Sequence, residues 1–142
     1  VFKEQSSNEL ISYYPVVSTE DDQPNKDYPF TAFVGSLRYH LGSGTRTQAS
    51  DRIHDYELVG QIGISPQDGA NLGITDDDCV IVSSKFGAVK RVVQLQNSLP
   101  ANHLFVPTGF NGNDAMNLFG LSDMAKPGST GLKTCQVKVE KA

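Results

Sequence analysis

The sequence contains no tryptophan, and only two cysteines and two methionines among 142 residues. Two cysteines without ligand spacing cannot build a structural zinc site or an iron–sulfur cluster. Cys79 and Cys135 sit in apolar, strand-like runs, "CVIVSS" and "TCQVKV", and are expected as buried, reduced thiols. There is no basic block, and the net charge is −4, so the overall field does not favour nonspecific binding to nucleic acid or an anionic membrane. No apolar run is long enough to cross a bilayer, so no membrane insertion is expected. No phosphate-loop or Rossmann glycine fingerprint occurs. No Ser-His-Asp or Cys-His set has a recognisable spacing, and His40, His54 and His103 form no metal-ligand pattern. No signal peptide is expected from this segment, which carries no initiator methionine. A chain that starts at Val1 inside a polar segment reads as a piece of a longer one.

What is present is turn chemistry. Thirteen glycines and seven prolines suit many short strands better than a helical bundle. Residues 1–26, with "STEDDQPNK", bury little and read as a linker, leaving 27–142 as one domain. "YPFTAFVG" reads as a strand that Pro29 can start and Gly35 ends. "TQASDRIHDY" suggests a short helix capped by Ser50, and "ELVGQIGI" a second strand. "SPQDGANLGI" carries a full helix signal: Ser65 at the cap, Pro66 at the first position, Asp68 three residues on and Gly73 at the stop. "CVIVSS", "AVKRVVQLQ", "HLFVP" and "KTCQVKVEK" read as further strands. Val89, Val92 or Val93, and Leu95 are available to the core in the second of these. Six short strands with one or two short helices fit a closed β-barrel, because closure removes edges. No internal repeat is visible.

Two loops are denser in hydrogen-bonding groups than a connection needs. The first, "GSLRYHLGSGTRTQAS", offers Arg38 and Arg46 for phosphate and Ser43, Thr45 and Thr47 as neutral partners. Its glycines let backbone N–H groups approach a ligand. The second, within residues 108–132, offers Asn111, Asn113, Asp114 and Asn117. Their amides and carboxylate suit the edges of a purine or pterin. A large polar cofactor with phosphates and heteroaromatic rings would suit both loops together. His40 alone reads as a structural hydrogen bonder.

These segments carry a family resemblance. "YPFTAFVGSLRYHLGSGTRTQAS" resembles the entry to the C-terminal domain of molybdopterin oxidoreductases of the dimethyl sulfoxide reductase type, which include formate dehydrogenases and nitrate reductases. Gly35, Tyr39, His40, Gly44, Thr45 and Thr47 match the pattern, with Ser43 in place of a threonine. "ISPQDGANLGITDDDCVIVSSKFGAV", "LFVPTGFNGNDAMNLFG" and "LKTCQVKVEKA" follow in the family's order. Ser36 stands where the family has arginine, and Asp77-Asp78 where it has Gly-Asp.

The resemblance implies a six-stranded double-psi β-barrel with long cofactor-facing loops, closing over a bis(molybdopterin guanine dinucleotide) that carries molybdenum or tungsten. It implies cofactor contacts from Gly35, Ser36, Arg38, His40, Ser43, Gly44, Thr45, Arg46, Thr47, Asn111, Asn113, Asn117 and Lys133. Catalytic and metal-ligating residues would lie in preceding, iron–sulfur-containing domains, so the domain alone would not be catalytic. A cytoplasmic location is expected. Two alternatives share the fold: a separate small subunit of a formylmethanofuran dehydrogenase-like complex, and a nonredox barrel such as an AAA-type adaptor domain or a pyruvoyl decarboxylase.

Overall fold

Alternation of side chains decides which face of each strand is buried. In the computed structural model, which describes residues 24–40, 42–55, 60–120 and 134–142, strand β1 (Phe30–Gly35) turns Phe30, Ala32 and Val34 inward. Strands β2 (Ile62–Ile64), β3 (Cys79–Ser83), β4 (Ala88–Leu95), β5 (His103–Pro107) and β6 (Thr134–Lys141) complete the set. They close into a barrel in the order β1-β5-β2-β4-β3-β6. Ile62, Ile64, Val80, Val82, Val93, Leu104, Val106 and Val137 fill its interior.

The topology has a two-fold symmetry that the sequence hides. Exchanging β1 with β4, β2 with β5 and β3 with β6 returns the same neighbours. The parallel pairs β1·β5 and β4·β2 swap, and the antiparallel pairs map onto antiparallel pairs. This is the double-psi barrel. The exchange turns the barrel end over end, because β1 and β4 run in opposite directions. The two ends are thus equivalent in topology and differ only in their connections. One end has the connections 65–78 and 96–102; the other has the longer 36–61 and 108–133, together with the β3–β4 turn at 84–87.

The shorter end is held by local polar contacts. Helix α3 (Pro66–Leu72; α1 and α2 are Thr45–Gln48 and Asp51–His54) forms as its caps predict. The Ser65 hydroxyl accepts from Asp68 N at 3.1 Å and donates to the Asp68 carboxylate at 2.7 Å. The same carboxylate accepts from Asn102 N at 2.7 Å, tying the helix to the facing connection. Gly73 ends the helix at φ +66°. Asp78 accepts from Lys141 Nζ at 2.7 Å and from the backbone N–H and hydroxyl of Thr75. The Lys141 hydrogen bond, then those from Thr75, hold its carboxyl down at about 2.

Several expectations are corrected. The second strand is shorter than "ELVGQIGI", covering only Ile62–Ile64 among the described residues. Ser50 stands at the N-cap of α2 as expected, though its side chain makes no cap bond. The loop after β5 contains a 3-10 helix, Asp114–Leu118. On β4 the buried row is Val89, Arg91 and Val93, so an arginine occupies a core-facing position. Most of the expected linker lies outside the described residues.

Both cysteines are free, and both are half-buried rather than buried. Cys79 shares the outward row of β3 with Ile81 and Ser83. Cys135 points with Val137 and Val139 as the alternation predicts, but at the start of its strand. Burial pushes its thiol up to about 12. The thiolate is the nucleophile, so Cys135 stays unreactive through neutral and mildly alkaline pH. Iodoacetamide should label it slowly at pH 8 in the folded chain and quickly in urea. Labelling at equal rates in both would show that the site is open.

Candidate functional site

β1 and β5 run parallel with Gly35 opposite Pro107, so the two long loops leave the barrel side by side. Their roots are hydrogen-bonded. Thr108 N donates to Gly35 O at 2.8 Å, and the Ser36 and Thr108 hydroxyls lie 3.3 Å apart. Ser36 Oγ also accepts from Gly42 N at 3.2 Å. Farther out, the buried Gly44 and Gly109 meet backbone to backbone. A Cβ on Gly44 would lie 2.2 Å from Gly109 O, and both residues hold positive φ, +72° and +88°. Gln48 Nε2 donates to Gly109 O, and Gly109 N donates to Asn113 Oδ1 at 3.2 Å.

Beneath this junction lies Arg91, with its side chain 2% exposed. Its Nη1 donates to Gly60 O at 3.1 Å and Pro107 O at 2.7 Å. Nε donates to Asp114 Oδ1 at 3.1 Å, and Nη2 pairs with the same oxygen. The guanidinium carbon is 6.0 Å from the centre of the Phe110 ring. His40, fully buried, meets the same ring edge-on at 4.9 Å. His40 Nδ1 reaches Thr47 Oγ1 at 2.9 Å, which donates to Gly44 O. The β3–β4 turn joins from the side: Ser84 Oγ donates to Leu118 O at 2.8 Å, and Gly87 packs under Asn117.

The structure therefore divides the sequence-derived candidates. Gly35, Ser36, His40, Gly44, Thr47 and Asn113 build the junction between the loops. Arg38, Ser43, Thr45, Arg46, Asn111 and Asn117 are exposed at the same end. Lys133 lies outside the described residues. Asp114, expected to accept from a purine-type N–H, is instead engaged by Arg91. Arg91 and Phe110 escaped the sequence reading. The one available signal was a buried-row position at Arg91, two residues from Val89 and two from Val93.

The family model for the molydopterin dinucleotide binding domain matches residues 30–136. The chain belongs to this family. It is 30% identical to the F420-dependent formate dehydrogenase subunit alpha of Methanocaldococcus jannaschii, over 83% of this chain and 18% of that protein. It is 32% identical to the periplasmic nitrate reductase of Campylobacter fetus, over 85% of this chain and 13% of that protein. Acetylene hydratase from Pelobacter acetylenicus superposes with a TM-score of 0.66 at 16% identity, over 82% of this chain and 19% of that one, and so shares the fold. The chain thus spans less than a fifth of the length of these proteins, each of which is far longer than the matched segment.

The exposed set at the looped end suits a dinucleotide of this kind. Guanidinium groups bind phosphate oxygens in pairs, hydroxyls donate to or accept from them, and amides read heterocycle edges. The back-to-back glycines keep Cβ atoms out of the junction, so the loops approach each other more closely than side chains would allow.

Proposed function

We propose that this chain is the dinucleotide-closing domain of a formate dehydrogenase-like molybdenum or tungsten oxidoreductase. The cofactor class we assign is bis(molybdopterin guanine dinucleotide). When bound, that group supplies the redox chemistry. This chain contributes binding and orientation. The observation that carries the reading is the pairing of the two donor-rich loops at one end of a barrel whose other end has the shorter connections. Arg38 and Arg46 would meet phosphate or pterin oxygens. Ser43 and Thr45, whose hydroxyls lie 2.9 Å apart, would add neutral hydrogen bonds. Asn111 and Asn117 would meet a heterocycle edge. The relatives' lengths support preceding domains in the same subunit, and we assign the iron–sulfur cluster and the metal ligand to those. A cytoplasmic location belongs to the same reading.

The test is made in the full-length catalytic subunit. A charge-assisted hydrogen bond is worth about 1.5–3 kcal/mol, and a neutral one about 1 kcal/mol. Arg46→Ala should therefore weaken dinucleotide retention more than Thr45→Val. Guanine nucleotide and metal per purified subunit give the readout. Parental content in both variants, and in Arg38→Ala combined with Arg46→Ala, would remove this end of the barrel from the binding site.

A further inference from the structure

A core position on β4 is occupied by a guanidinium. Val89 and Val93 on either side of Arg91 in the inward row are buried valines. Desolvating an arginine is costly, and an apolar side chain of similar volume usually serves stability as well or better. Arg91 is therefore poorly explained as filler. Its contacts show what it does instead. One nitrogen holds the approach to β2 at Gly60 and the end of β5 at Pro107. Two others hold Asp114, the first residue of the 3-10 helix. The guanidinium also faces Phe110, which abuts His40, which bonds Thr47. A continuous chain of contacts, Asp114–Arg91–Phe110–His40–Thr47, thus runs from the second loop to the first beneath their exposed donors.

We infer that Arg91 is a positioning residue that presets the two loops, through Asp114 and Phe110, in the arrangement that receives the dinucleotide. The inference rests on the function proposed above. Arg91 is itself too buried to face a ligand; it acts by shaping what does. A preset loop does not lose ordering entropy when the ligand arrives, so apparent affinity is higher by the inverse of the competent fraction. Arg91 and Asp114 also lie in segments that meet only on folding, so the pair reports the closed loop and nothing local.

Two mild variants avoid gross unfolding. Asp114→Asn keeps the shape and removes the charge. Arg91→Lys keeps the charge and removes the planar fork. Backbone amide exchange is measured on this chain without cofactor, and guanine nucleotide content on the full-length subunit. Exchange across residues 108–118 should rise at least about ten-fold more in Asp114→Asn than exchange in β3, β5 and β6, whose rates follow the global stability. Nucleotide content of the folded subunit should fall by a similar factor under limiting cofactor. Arg91→Lys should lie between the parent and Asp114→Asn in both readouts. A merely stabilising residue would instead raise exchange in strands and loop alike and leave the folded subunit fully loaded. That result, or parental loop exchange in both variants, overturns the inference. If the parental subunit carries no guanine nucleotide, the functional reading fails, and loop exchange alone then decides whether Arg91 presets the loops.

Discussion

Arg91→Ala in this chain is expected to cost about 3–5 kcal/mol, the range seen when one partner of a buried ion pair is removed. The alanine would leave the carbonyls of Gly60 and Pro107 and the carboxylate of Asp114 without their donors, and would open a void beneath Phe110. Stability of a domain this size is typically about 5–15 kcal/mol, so the loss is a large share. A thermal melt should show the midpoint falling by roughly 10–25 °C. Asp114→Leu should cost a comparable amount, because it leaves the Arg91 guanidinium, whose side chain is 2% exposed, without its counter-charge. The double variant Arg91→Met with Asp114→Leu decides the cause. With neither charge left unpaired, it should recover about 2 kcal/mol or more relative to the sum of Arg91→Met and Asp114→Leu alone. Strict additivity of the two changes would show that the pair is not coupled, and that Arg91 acts through its carbonyl contacts alone.

The same residue marks where the sequence stops being readable. Strand identity follows from local alternation, so β1, β3, β5 and β6 are visible in the chain, and the Ser65-Pro66 and Gly73 signals place α3. The family segments fix the barrel and its cofactor class. In "AVKRVVQLQ", however, the adjacent Lys90 and Arg91 look like a solvent face, and Val92 competes with Val93 for the core. Only the β3 and β2 registers, Val80 opposite Arg91 and Ile62 opposite Val93, settle which row is buried. The pairing of Asp114 is hidden in the sequence for a related reason. Its composition is that of a loop acceptor, and the partner that occupies it is 23 positions away on a strand. The 3-10 helix has too few residues to show a period. The candidate site was legible as two donor-rich loops, whereas the division into junction residues and exposed residues depends on contacts between segments far apart in sequence.

Gly44 gives the sharpest test of that junction. Gly44→Ala is expected to open the contact between the two loops while the barrel stays folded. An L-residue in the left-handed region costs roughly 1–2 kcal/mol. The new methyl would also lie 2.2 Å from Gly109 O and 2.8 Å from Gly109 Cα. Both atoms are backbone, so no side chain can swing aside to relieve the overlap, and overpacking of this kind costs about 1–3 kcal/mol more. Local opening of the loops requires less free energy than unfolding the strands, so the strain should be released there. Gly42 separates the two causes. It also holds a positive φ, +59°, but a methyl there would meet nothing within 4 Å. Gly42→Ala therefore bears the backbone term alone. Amide exchange across residues 108–113 should rise by about ten-fold or more in Gly44→Ala over Gly42→Ala, with Val80, Val82 and Val106 unchanged in both. Equal exchange in the two variants would mean that the approach of Gly44 to Gly109 does not hold the loops together.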